Sequence, residues 1–212
     1  MPLKTNQWLS KAAQTVSVVC HPVFIPLYAV WFYFKATPRY FISQNQKFLY
    51  LYLLIVAIII PLLFFAVMLL TKSFSGYQLK KTKERLFFSV IMAVVYLIIF
   101  QKLTKYHQFI ELYPFFLGIF LSILVLAFYN YFGQKPSIHA MALSGLLTFF
   151  MMWSYYSRVN ILNYVTLCLM AVSIVSAARI YLKAHSLKDV ARGIIIGVTM
   201  QFLAFYIVWL YY

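Results

Sequence analysis

Carboxylates are nearly missing from this sequence. Glu84, Glu111 and Asp189 are the only three acidic side chains among 212 residues, against 18 Lys and Arg. Holding one or two divalent cations takes several carboxylates, and cleaving a glycosidic bond by paired acid and base takes two that converge. Both chemistries are thereby all but excluded, no metal is expected, and catalysis must run on His, Lys, Arg and a single Asp. Cysteine is scarce as well. Cys20 and Cys168 each lie inside an apolar run, too few for a zinc cluster or a disulfide framework and silent on redox compartment, so they read as packing residues. Charge of either sign is thin: 10% of residues are charged, 65% hydrophobic and 20% aromatic, with a mean hydropathy of +0.87. An ordinary soluble domain carries roughly a quarter charged residues. A soluble enzyme, a disordered tail and a disulfide scaffold are ruled out.

What is present is a succession of long apolar runs. A spanning helix needs about 20 mostly apolar residues, and candidates stand at about 16–35, 48–70, 86–101, 113–132, 139–156, 161–179 and 190–212. The expected fold class is therefore an all-α polytopic transmembrane bundle. Seven spans is the direct count, while Pro22 and Pro26 in the first run and the shortness of the third keep a six-span arrangement open. The basic start runs into His21 and two prolines without a small-residue cleavage site, and is expected to be retained. No linker, low-complexity tract or repeat divides the chain. The net charge of +15 does not point to nucleic acid, because the cations sit between apolar runs and read as loop charges facing lipid head groups and phosphates.

A chain that crosses at every span returns to one side after every second helix. Loops 71–85, 133–138 and 180–189 then share a face with the N-terminus, and that face holds twelve of the eighteen Lys and Arg residues. Positive-inside reasoning places it in the cytoplasm. The same face gathers the polar chemistry. Arg179-Ile-Tyr-Leu-Lys-Ala-His185-Ser-Leu-Lys-Asp189 contains the only Asp, four residues after a His. On one helix these two would share a face, and the carboxylate could fix the imidazole tautomer, leaving the other nitrogen as a nucleophile or base. An ion pair near the membrane surface is the plainer reading. Arg179 suits a phosphate fork. Lys135-Pro136-Ser137-Ile138-His139 opens the fifth span, where a helix N-terminus offers free N–H groups, Ser137 a hydroxyl and His139 a proton; it also reads as an ordinary helix start. Lys80, Lys81, Lys83, Glu84 and Arg85 crowd the mouth of the third span. Together these loops hold the inventory for metal-free attack of a histidine on phosphorus.

These motifs resemble the type 2 phosphatidic acid phosphatase (PAP2) superfamily, whose signature runs KxxxxxxRP, PSGH and SRxxxxxHxxxD. The third part is matched by Arg179, His185 and Asp189, with Ala178 for the usual Ser; the second by Pro136, Ser137 and His139, with Ile138 for Gly. In the first, Arg85 fits, Gln78 stands in the Lys position and Leu86 in the Pro position, and Lys81 or Lys80 could substitute from a neighbouring turn. Gly193 and Gly197 resemble the family's last helix, where small residues let helices approach closely. The resemblance covers roughly 85–200. It implies a PAP2-like core over 85–212, preceded by membrane helices and a basic loop over 1–84, the whole one integrated domain. It further implies His185 as the nucleophile forming a phosphohistidine, Asp189 as its orienting partner and His139 as the acid for the leaving oxygen. Arg85, Ser137, Arg179 and Lys81 would hold the phosphate, with no cofactor.

The remaining singled-out residues read plainly. His21 is a helix-bend or head-group residue. His107 and Glu111 form a surface pair on the opposite face. Trp31, Tyr50, Tyr113, Trp153 and Tyr212 look like an interfacial belt. The expectation is an integral membrane lipid phosphatase, in a bacterial cytoplasmic membrane, acting on a lipid phosphomonoester or diphosphate. The resemblance offers phosphatidic acid, phosphatidylglycerol phosphate, undecaprenyl diphosphate and a lipid A phosphate, and leaves the choice and the oligomeric state open. The alternatives are an inactive lipid-binding or transport protein of the same fold, or a phosphotransferase that hands the group to another lipid.

Overall fold

The computed structural model describes residues 7–37, 43–74, 79 and 81–211, without the side chains of 43 and 44. Lys80, Gln78 and Tyr212 lie outside the described residues. Among those described there are helices and no strands. In chain order they are α1 (Gln7–Val19), α2 (Ile25–Ala36), α3 (Ser43–Leu53), α4 (Ile60–Leu70), α5 (Thr82–Leu103), α6 (Tyr113–Tyr131), α7 (Ile138–Ser157), α8 (Leu162–Tyr181) and α9 (Leu187–Tyr211). They make seven stretches long and apolar enough to cross a membrane, α1 with α2 and α3 with α4 each forming one. This agrees with the direct count of seven. The protein is an all-α integral membrane protein.

The interruptions inside the first two spans have local causes. Pro22 lacks an N–H, so α1 stops at Val19; His21 is extended (φ −66°, ψ 135°) and its Nδ1 accepts the Val23 N–H at 3.3 Å, which redirects the chain into α2. Pro26, Pro61 and Pro114 sit at the first positions of α2, α4 and α6, where a missing N–H costs no intrahelical bond. A π-helical turn, Leu54–Ile59, precedes Pro61 and lets the second span continue past it.

The bundle is built on α6, α7 and α9, which bury the largest share of their residues, while α4, α5 and α8 turn rows of Leu, Ile, Val and Phe outward to lipid. The end remote from the polar loops is filled by aromatic rings. Trp153 stacks on Phe149 at 5.9 Å and 10°, and Tyr33, Phe115 and Phe150 pack around them. Trp153 and Tyr113 are therefore core residues, only 1% and 0% exposed, and not members of an interfacial belt; Trp31 remains exposed. The expected His107–Glu111 surface pair is also replaced. His107 opens a 3-10 turn, in which residues four apart do not align, and the Glu111 carboxylate accepts from the Tyr33 hydroxyl at 2.6 Å.

Candidate functional site

The site is assembled where the start of α5, the start of α7, the end of α8 and the start of α9 meet. The α8–α9 connection shapes it first. Lys183 is left-handed (φ 53°), the Lys183 N–H donates to the Ile180 carbonyl at 2.9 Å and the Ala184 N–H to the Arg179 carbonyl at 3.1 Å. That is a Schellman termination with Lys in the position glycine usually fills. It folds the chain back so that the His185 N–H also reaches the Arg179 carbonyl, at 3.4 Å. α9 then starts with a reciprocal cap. Asp189 Oδ2 accepts from the Ser186 N–H at 3.1 Å and hydroxyl at 2.8 Å, and the Asp189 N–H donates back to Ser186 Oγ at 3.2 Å.

His185 consequently precedes the helix that carries Asp189, and the expected shared helical face does not form. The Asp189 carboxylate is engaged by Ser186 and, at 3.5 Å, by Arg192, while remaining within electrostatic reach of His185. The Lys135 backbone carbonyl lies within reach of the His185 ring. Burial, Arg179 and Arg85 push the His185 pKa below the usual histidine range, opposed by Asp189 and the Lys135 carbonyl. Near neutral pH the ring is the uncharged form that has a lone pair to give.

The start of α7 is tied to the start of α9 through main chain. The Ser137 N–H donates to the Asp189 carbonyl at 2.9 Å, and a Cβ on Gly193 would overlap the Ser137 carbonyl. A Cβ on Gly197 would overlap the Met141 carbonyl and Ser144 Oγ. Both glycines are thus required by backbone approach, as the small-residue reading of this helix expected. Ser137 itself is 0% exposed and its hydroxyl has no partner, although a buried polar group ordinarily finds one.

The cations come from two elements, α8 and α5. Arg179, in the last turn of α8, lies within electrostatic reach of His21, His139 and His185, and its buried Nε has no partner. Arg85, in the first turn of α5, acts on both His185 and Asp189. Its helical turn is anchored by a relay in which Asn130 Nδ2 donates to Ser89 Oγ at 3.0 Å and Ser89 donates to the Arg85 carbonyl at 2.8 Å. Lys81 is different. It caps α5 with an exposed side chain that pairs with Glu84 at 3.8 Å, and it stands at the rim.

His139, in the first turn of α7, is half-buried. Its Nε2 bonds the Ser17 carbonyl of α1 at 3.1 Å, and the His21 ring stands edge-on to it, centroids 5.2 Å apart. His21 is the residue that sequence reasoning passed over. Its neighbour Pro22 announces the bend, but the contact between α1 and α7 is tertiary and leaves no local pattern.

Among the described residues no three His, Cys, Asp or Glu side chains gather as a metal site. The arrangement combines two histidines, of which His139 has a ring nitrogen on a backbone carbonyl, two arginines, and two buried unpartnered polar groups. A family model described as the PAP2 superfamily matches residues 86–211. No curated protein and no solved structure matches the chain.

Proposed function

The chain belongs to the PAP2 superfamily, a phosphatase-type family, and on that footing we propose that it hydrolyses a lipid phosphomonoester or diphosphate without a metal, through a phosphohistidine. The observation that carries this reading is the pair of buried polar groups without partners, Ser137 Oγ and Arg179 Nε, set beside His139 and His185. A phosphoryl group supplies acceptors for both. Arg85 and Arg179 stabilise charge on the transferring group, and the free first-turn N–H groups of α7 add theirs. A ring nitrogen of neutral His185 attacks phosphorus. The bond to the leaving oxygen breaks, its electron pair stays on oxygen, and His139 protonates it. Water then attacks the phosphohistidine, losing a proton to His139, and releases phosphate. Asp189 acts on this scheme by holding the first turn of α9, and so the turn that carries His185. The lipid-facing rows of α4, α5 and α8 keep the acyl or isoprenyl tail in the bilayer while its head group reaches the polar end.

Detergent-purified protein assayed in EDTA for inorganic phosphate release tests this, with phosphatidic acid, phosphatidylglycerol phosphate, undecaprenyl diphosphate and a lipid A phosphate as substrates. Release that persists in EDTA and is lost in His185→Ala is expected. Release from none of them, or release indifferent to that substitution, moves the assignment to a lipid-binding or transport protein of this fold.

A further inference from the structure

The break between α1 and α2 lies outside the family match, in residues 7–36, yet it reaches the site. Ser17 belongs to the last turn of α1, whose carbonyls have no N–H of a following turn to bond. The His21 N–H, which would close on the Ser17 carbonyl in a continuing helix, instead donates to the Val18 carbonyl at 3.2 Å, and Pro22 has no N–H at all. The Ser17 carbonyl is thereby released from its own helix, and His139 Nε2 takes it at 3.1 Å. A carbonyl only accepts, so Nε2 carries a proton, and Nδ1 is the one ring nitrogen left to serve the site. The negative end of the α1 dipole is delivered to the same ring. His21, held by its own bond to the Val23 N–H, closes one side of it.

We propose that this helix break is a positioning device for the acid: the Ser17 carbonyl and the His21 ring fix His139 as the Nε2–H tautomer with Nδ1 turned to the leaving group. The inference rests on the reading of His139 as the acid. In the step, the bond from phosphorus to the leaving oxygen breaks with its electron pair on oxygen. That oxygen takes the Nδ1 proton of the imidazolium, and the neutral Nε2–H tautomer remains on the Ser17 carbonyl.

Two substitutions separate this from a structural role. Pro22→Ala restores an N–H for the Val18 carbonyl, so that the helix continues and the His21 N–H closes on the Ser17 carbonyl; His21→Ala removes the ring beside His139. An alkyl phosphate, such as phosphatidic acid, needs its leaving oxygen protonated, whereas an aryl phosphate with an acidic phenol leaves unaided. Loss of a positioned acid is worth about 100-fold or more, so both variants are expected to lose roughly 10- to 100-fold in kcat on the alkyl ester. They should lose less than about 3-fold on the aryl ester. Equal losses on the two esters, or none on either, overturn the proposal. Nitrogen-15 histidine spectra supply a readout independent of turnover. Recorded at a pH where the ring is neutral, they should give the Nε2–H tautomer for His139 in the parent and its loss in Pro22→Ala; an Nδ1–H tautomer in the parent overturns the proposal. Should the parent release phosphate from neither ester, the proposed function falls and the acid step with it, while the spectra still decide the hydrogen bond.

Discussion

The two ends of α7 obey different rules. At its start, Ser137 and Met141 lie so close to Gly193 and Gly197 of α9 that no side chain fits between the backbones, and a buried hydroxyl is left without a partner. Toward its end, Phe149, Phe150 and Trp153 fill the space between helices with stacked and tilted rings. One end keeps helices close and polar atoms available; the other keeps them apart and packed. The difference teaches that this helix draws its cohesion from one half and presents its polar groups from the other, because large apolar rings leave no room for a ligand and small residues leave little to bury.

That division can be broken at either end. Gly193→Val drives a branched side chain into the Ser137 carbonyl, and since a misplacement of about 1 Å can cost roughly 100-fold in rate, activity should fall by at least that much, read as phosphate release per folded molecule. Overpacking adds about 1–3 kcal/mol of destabilisation. Trp153→Ala does the reverse. Emptying a buried indole costs about 3–5 kcal/mol, seen as a lower Tm in detergent, while the rate per folded molecule stays within about 2-fold because the site is remote. Equal damage to rate and stability from both substitutions would dissolve the comparison.

Smaller effects sharpen the polar end. Arg85 is one of the cations that hold the His185 pKa below the usual histidine range. A lowered pKa keeps the ring neutral as pH falls through that range, so the acidic limb of kcat/KM should lie below it. Arg85→Gln removes a positive neighbour, raises the His185 pKa and moves the limb to higher pH, in addition to weakening phosphate binding; a limb that stays put would show that Arg85 does not act on His185. Lys81→Ala should change least. An exposed ion pair is worth about 0–1 kcal/mol, and the rate should move by less than about 2-fold, separating the rim from the arginines that act on the histidines.

Much of this architecture is legible in the sequence. Apolar runs locate all seven spans because a bilayer tolerates little else there, and alternation of sides brings Ser137, His139, Arg179 and His185 to one end. The family resemblance adds the order of these residues. What stays hidden follows from three physical causes. The shared helical face of His185 and Asp189 presumes an unbroken helix, whereas Lys183 in a left-handed conformation ends α8 and Ser186 restarts the chain as α9. The Ser186-x-x-Asp189 cap is visible as a pattern, yet an Asp near a His invites a catalytic reading first. The partner of His139 is the main-chain carbonyl of Ser17, and a carbonyl belongs to every residue type, so composition cannot mark it. Trp153 and Tyr113 mislead for another reason: aromatic residues near span ends suit both an interface and a core, and burial by neighbouring helices decides between them.

The bond from the Ser137 N–H to the Asp189 carbonyl has a bearing on inheritance. It joins the two best-matched motifs of the chain through atoms that no codon specifies. Ordinary point mutation can change either side chain and leave the weld in place, while proline at 137 would remove its donor in one step. The spacing between the start of α7 and the start of α9 can therefore outlast much drift in the letters around it.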